Sequence, residues 1–288
     1  MEGRGEHVAI VEMSPRDGLQ NEKQPVATGD KITLVDMLSD CGFDRIEVTS
    51  FVSPRWVPQL ADAAEVMAGI RRRRGVHYAV LTPNMKGFEA ALAAGADEVA
   101  IFASASESFS RQNINCTINE SIERFRLVAR AAVEHGLPLR GYVSCVVECP
   151  YEGAIAPAAA ASVACRLKAL GCHEVSLGDT IGRGTPEAVD KMLRTVLEEM
   201  PAEMLAGHFH DTSGLALDNI AVSLERGLRV FDASVGGLGG CPYAPGAKGN
   251  VDTVSADAFL RSRGFETGLS PEKLERAAAF ARGLRSAA

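Results

Sequence analysis

Short β-branched or apolar runs alternate with longer amphipathic stretches along the whole of this chain. HVAIVEM (7–13), RIEVTSF (45–51), HYAVLTP (77–83), EVAIFAS (98–104), LRGYVSC (139–145), EVSLGDT (174–180), AGHFHDT (206–212) and VFDASVG (230–236) have the length and composition of strands. Between them, KITLVDMLSDCG, GFEAALAAG, SIERFRLVARAAVEHG, VACRLKALG, EAVDKMLRTVLEEM and NIAVSLERG carry apolar positions at helical spacing, and several end in glycine. Helix starts are marked by Thr185 with Pro186 and by the capping-box spacing of Thr117 and Glu120.

Eight strand–helix alternations without a Pro/Ser-rich linker predict a (β/α)8 TIM barrel in the α/β class, with extra C-terminal helices. The main competitor is a doubly wound sheet. Against it, no G-x-G-x-x-G follows the first strand, where EMSPRDGLQNE stands instead. The expected organisation is one catalytic domain over 1–288, with the barrel over about 7–255 and closing helices over about 256–286.

Composition narrows the function class. The 288 residues are 46% hydrophobic and 23% charged, with net charge -7, which is ordinary for a globular enzyme and leaves little for a phosphate backbone to bind. The exception, Arg71 to Arg74, reads as a solvated helix end. No segment has the length of a membrane span, MEGRGEH lacks the apolar centre of a signal peptide, and the 7 cysteines include no C-x-x-C pair. The expectation is a cytoplasmic protein without nucleic-acid or membrane partners.

In a barrel of this kind, chemistry sits at the C-terminal ends of the strands. The polar residues there are Arg16 and Asp17, Glu47, Asp179, His208 and His210 with Asp211, and Cys241 and Asn250. His208 and His210, two apart in a strand, share a face; with Phe209 turned to the helices, both imidazoles converge on the barrel mouth. Joined by the Asp17 carboxylate and the Asn250 amide oxygen, they form a mixed N/O set suited to Mg2+ or Mn2+, with zinc as the alternative. Asp17 also fits a plain turn role in PRDG. Cys241 lies in GGLGGCPYAPGAKGN (236–250), a segment too rich in glycine and proline for a helix or strand.

VEMSPRDGLQNEK, IEVTSFVSPRWVPQLAD, VLTPNMKGFEAALAAGA, RGYVSC, CPYEG, SLGDTIGRGTP, HFHDT and GGLGGCPYAPGAKGN together resemble the 3-hydroxy-3-methylglutaryl-coenzyme A lyases, from about residue 7 to about residue 280. The resemblance implies divalent-metal-dependent retro-Claisen cleavage of the acyl-coenzyme A thioester to acetyl-coenzyme A and acetoacetate, in leucine degradation. It implies metal ligands at Asp17, His208, His210 and Asn250, and catalytic roles for Arg16, Glu47, Asp179 and the proton-transferring Cys241. Substrate contacts are implied at Arg16, Gln20, Lys23 and Arg140, and a homodimer is implied for the assembly. Val254 departs from the acidic residue expected beyond the last ligand. RGLRSAA lacks a peroxisomal tripeptide and the regulatory cysteine of some animal forms, so the expectation is a bacterial-type enzyme. The alternatives are a condensing synthase or aldolase of the same superfamily, a lyase for a longer 3-hydroxy-3-acylglutaryl thioester, and an inactive binding barrel.

Overall fold

Each of the eight apolar runs forms a parallel strand in the computed structural model, which describes residues 5–22, 24–239 and 249–286. The strands are β1 (Ala9–Glu12), β2 (Arg45–Ser50), β3 (His77–Leu81), β4 (Glu98–Ser104), β5 (Leu139–Ser144), β6 (Glu174–Asp179), β7 (Leu205–Phe209) and β8 (Val230–Ala233). They close in sequence order, β8 pairing with β1 through Ala9–Val230 to Glu12–Ala233. The chain is a (β/α)8 barrel.

The surrounding helices are α1 (Thr28–Ser39), α2 (Ala63–Gly69), α3 (Met85–Ala93), α4 (Glu107–Ile114), α5 (Ile118–Glu134), α6 (Pro157–Ala169), α7 (Pro186–Leu197), α8 (Ala216–Glu225), α9 (Thr253–Ser262) and α10 (Pro271–Ser286). The expected caps are present: Thr117 and Glu120 close a capping box on α5, and Thr185 accepts from Ala188 N at the start of α7. The closing helices start at Thr253, three residues ahead of the expected boundary, because Asp252 caps α9 by accepting from Ser255 N at 3.0 Å. Val254 in its first turn packs against the apolar layer. The Arg71–Arg74 run is exposed beyond α2, and Arg71 and Arg73 pair with Asp36 and Asp40. No helix among the described residues is long and apolar enough to cross a membrane.

Strand alternation sorts the side chains into two layers. Ile10, Ile46, Val48, Val175, Leu177, Phe209 and Phe231 face the helices in the main apolar core. The barrel interior holds a small cluster of Val11, Met13, Ala100 and Tyr142, and beside it an unusually polar filling. Near the N-terminal end of the strands, Arg45 bridges Glu98 and Glu174; above it, Arg140 bridges Glu174 and Asp232. Barrel interiors of this class are usually filled by branched apolar residues, so the charges mark the inside as more than packing.

Candidate active site

The sequence MSPRDG turns sharply at the end of β1. Ser14–Gly18 forms one π-helical turn with Pro15 at its start, and this brings Arg16 and Asp17 side by side over the barrel mouth. Gly18 is required there, because a Cβ would stand 2.8 Å from Ser234 Oγ and 2.9 Å from Leu238 Cβ. Glu12, the last residue of β1, anchors the turn: it accepts from Ser14 N at 2.9 Å, Val235 N at 3.1 Å and Thr253 Oγ1 at 2.8 Å.

His208 and His210 project inward from the end of β7 while Phe209, 1% exposed, packs outward. Asn250 reaches the same place because the chain after residue 248 returns alongside β7: His210 pairs with Asn250 as an antiparallel bridge, and Val251 N donates to Phe209 O at 3.0 Å. Asp17, His208 and His210 each offer a ligand atom within 4.8 Å of the others. Asn250 Nδ2 donates to Asp17 Oδ2 at 2.8 Å, and its Oδ1 is buried with no hydrogen-bond partner among the described residues. An orphaned buried carbonyl oxygen is costly unless something electropositive fills the space. Two imidazoles, a carboxylate and that oxygen are the donor set of an N/O-ligated divalent cation, so these residues fit one.

Electrostatics favours the protonation states a cation needs at Asp17 and at His210. Burial opposes ionisation of Asp17, but Arg16, both histidines and Asn250 outweigh it and hold the carboxyl at about 2. Burial, reinforced by neighbouring His208, drops His210 to about 4 and keeps it neutral. His208 is also opposed by burial, yet Asp232 and Asp17 raise it. Arg16 resists burial through Glu47 and Asp17 and stays protonated. Its Nε donates to Glu47 Oε1 at 2.6 Å and its Nη1 to Asp17 Oδ1 at 2.6 Å.

Two of the expected site residues are held by protein partners of their own. Arg140, expected near the acyl or coenzyme A end of the substrate, is 1% exposed inside the barrel. It donates to Glu174, Tyr142 and Asp232, at 2.6, 2.7 and 2.7 Å, which engages its guanidinium within the barrel. Strand parity decides this: Arg140 shares the inward face of β5 with Tyr142, at the level of Ala100 and Glu174 in the neighbouring strands. Asp179, expected among the catalytic carboxylates, lies on the outward parity of β6 with Val175 and Leu177. It accepts from Gly184 N at 2.8 Å and Arg183 N at 3.3 Å, which organises the loop after β6. Burial raises it to about 6. Asp211 accepts from Ala216 N at 3.2 Å, at the start of α8. Gln20 is half-buried just beyond the π-helical turn. Lys23 and Cys241 lie outside the described residues.

Sequence reasoning missed Glu12, Tyr142, Ser176 and Asp232. Asp232 had a signal: a lone carboxylate inside the apolar run VFDAS, on an inward parity, in register with His208 on the next strand. Tyr142 hydrogen-bonds Glu47 and stands T-shaped to His208, with ring centroids 6.5 Å apart.

The family model described as HMGL-like matches residues 7–280. A mitochondrial hydroxymethylglutaryl-CoA lyase of Bos taurus is 57% identical over 95% of this chain and 84% of its own. A 3-hydroxy-3-isohexenylglutaryl-CoA/hydroxy-methylglutaryl-CoA lyase of Pseudomonas aeruginosa is 58% identical over 93% of this chain and 89% of its own. Among solved structures, the HMG-CoA lyase of Brucella melitensis superimposes with a TM-score of 0.97 at 68% identity, covering 98% of this chain and 100% of that one.

Proposed function

The chain belongs to the HMGL-like family, and from that membership we propose that it cleaves 3-hydroxy-3-methylglutaryl-CoA to acetyl-CoA and acetoacetate. The observation that carries the reading is the convergence of Asp17, His208, His210 and Asn250 beside the buried Arg16–Glu47 pair. Asp17, His208, His210 and Asn250 would hold Mg2+ or Mn2+, which supplies Lewis acidity that lowers the pKa of the substrate's tertiary hydroxyl.

In the retro-Claisen step the hydroxyl loses its proton, the C2–C3 bond breaks, and its electron pair passes to the thioester as an enolate. Arg16 sets a permanent positive charge where the thioester oxygen becomes negative. Glu47 fixes that guanidinium through Nε, so the charge needs no reorganisation during the reaction. Cys241, on the glycine-rich segment, returns a proton to the carbanion carbon and yields acetyl-CoA. A thiol, with an ordinary pKa of about 8.5, suits a proton donor that must not titrate first.

A bacterial-type cytoplasmic homodimer serving leucine degradation belongs to the same reading. The name of the Pseudomonas aeruginosa relative supports a second one, in which a longer 3-hydroxy-3-acylglutaryl thioester is also accepted.

The test is acetoacetate release with Mg2+ or Mn2+, then with chelator, beside Cys241→Ala. Expected are metal-dependent turnover, loss on chelation reversed by added metal, and collapse in the variant. Tight metal binding without acetoacetate from this substrate would overturn the reading, and turnover of the longer thioester alone would establish the second.

A further inference from the structure

Beneath the metal-binding candidates, Asp232 gathers hydrogen bonds from three strands. Its Oδ2 lies 3.0 Å from His208 Nδ1 and accepts from Ser176 Oγ at 2.7 Å, while Oδ1 accepts from Arg140 Nη2 at 2.7 Å. The carboxylate is 1% exposed. An ionised carboxylate has no proton to give, so His208 Nδ1 carries the hydrogen and its lone pair is left on Nε2. Nε2 is the nitrogen that lies 4.0 Å from Asp17 Oδ2, on the side of the donor set. His210 has no such anchor among the described residues, where its Nδ1 is buried without a partner.

Arg140 joins this anchor to the other half of the site. Its Nη1 donates to the Tyr142 hydroxyl at 2.7 Å, that hydroxyl hydrogen-bonds Glu47, Glu47 holds Arg16, and Arg16 reaches Asp17. The contacts thus run from His208 through Asp232, Arg140, Tyr142, Glu47 and Arg16 back to Asp17, which faces His208 across the donor set. Tyr142 also packs between the two guanidinium groups, 4.9 Å from Arg140 and 5.6 Å from Arg16. Burying Arg140 among carboxylates is a poor source of stability compared with an apolar filling of the same volume. Its charge fits a positioning task better than a packing one.

We infer that Asp232 and Arg140 are positioning residues: Asp232 locks His208 in the tautomer that presents Nε2 to the cation, and Arg140, through Tyr142 and Glu47, holds Arg16 at a fixed place relative to it. This deepens the lyase reading and rests on it for the identity of the ion. Both residues are 1% exposed. Their effect reaches the reaction through His208 and Arg16.

The first measurement is 15N NMR of histidine-labelled, metal-free protein, with His208→Gln for assignment. At a pH high enough for the ring to be neutral, a His208 protonated at Nδ1 and bare at Nε2 is expected; a predominantly Nε2-protonated neutral ring would overturn the inference. The second is Mn2+ titration by calorimetry. Asp232→Asn is expected to weaken binding by about 10- to 100-fold, and wild-type affinity in a folded variant would overturn it. If that variant does not fold, the tautomer measurement on the wild type decides. Tyr142→Phe is expected to leave Mn2+ affinity within about twofold while lowering kcat at saturating metal by about tenfold or more, with KM little changed. An unchanged kcat would overturn the link to Arg16. Mn2+ binding that depends on Asp232 in a protein releasing no acetoacetate would overturn the lyase reading and leave the positioning role standing.

Discussion

Arg16 and Glu47 come from different strands' ends and meet at 2.6 Å, in a pocket where each side chain is almost fully withdrawn from solvent, at 7% and 1% exposure. The pair is oriented by its other partners: Asp17 on the far side of the guanidinium and Tyr142 on the second carboxylate oxygen. Replacing Arg16 by Gln keeps a donor and removes the charge. Expected is a fall in kcat of about 10²- to 10³-fold with KM changed far less, since the lost interaction strengthens only as the enolate forms. Steady-state kinetics at saturating Mg2+ checks this. A loss confined to KM would show that Arg16 serves ground-state binding instead.

Glu12 makes stability depend on pH. Burial pushes its carboxyl up to about 7 from an ordinary value near 4.5, against the opposing hydrogen bonds from Ser14, Thr253 and Val235. Because the folded value lies above the unfolded one, the native state binds the extra proton between them. Stability is therefore full below about pH 4.5 and declines as pH rises to about 7, by on the order of 3 kcal/mol from this residue. Glu12→Gln, which keeps an acceptor for Ser14 and Val235 without the charge, is expected to lose that slope. Urea midpoints at pH 5 and pH 8 compare the two, and parallel pH profiles would refute the assignment.

Gly239 has φ +101, and a Cβ there would lie 2.5 Å from Asn250 Nδ2. Gly239→Ala combines backbone strain of about 1–3 kcal/mol with displacement of the amide that faces Asp17. Expected are a lower Tm and Mn2+ affinity reduced by about tenfold or more, by analogy with the loss of an orienting contact. A variant that loses stability but binds Mn2+ like the wild type would separate Gly239 from the donor set.

Much of this was legible beforehand, for reasons that can be named residue by residue. The eight strands were found because β-branched runs such as EVAIFAS are bounded by glycines and helical spacing, and each lies where its own local pattern puts it. The inward aim of His208 and His210 followed from period-two alternation plus an apolar Phe209 between them. Helix α4, Glu107–Ile114, escaped because ESFSRQNI shows little apolar periodicity; it is held by the Ser106 cap and by burial of Phe109.

The surroundings of Asp179 and Arg140 were illegible for a different reason. A carboxylate at a strand's C-terminal end and an arginine in an acyl-CoA enzyme look functional in the sequence, but parity and the partners across the barrel decide their work. Asp179 turns outward to the backbone of Arg183 and Gly184, and Arg140 turns inward to Asp232.

The amino-acid order by itself determined the class of fold, the number of strands and the identity of the candidate metal-binding side chains, because these depend on local periodicity and on residue chemistry. Tertiary structure alone decided that Asp232 stands opposite His208, that Tyr142 lies between Arg16 and Arg140, and that Asn250 Oδ1 is left without a partner among the described residues. Those relationships depend on the closure of the barrel and the register between strands far apart in the chain. Local pattern carries no information on the distance between residues 140 and 232 until the sheet has closed.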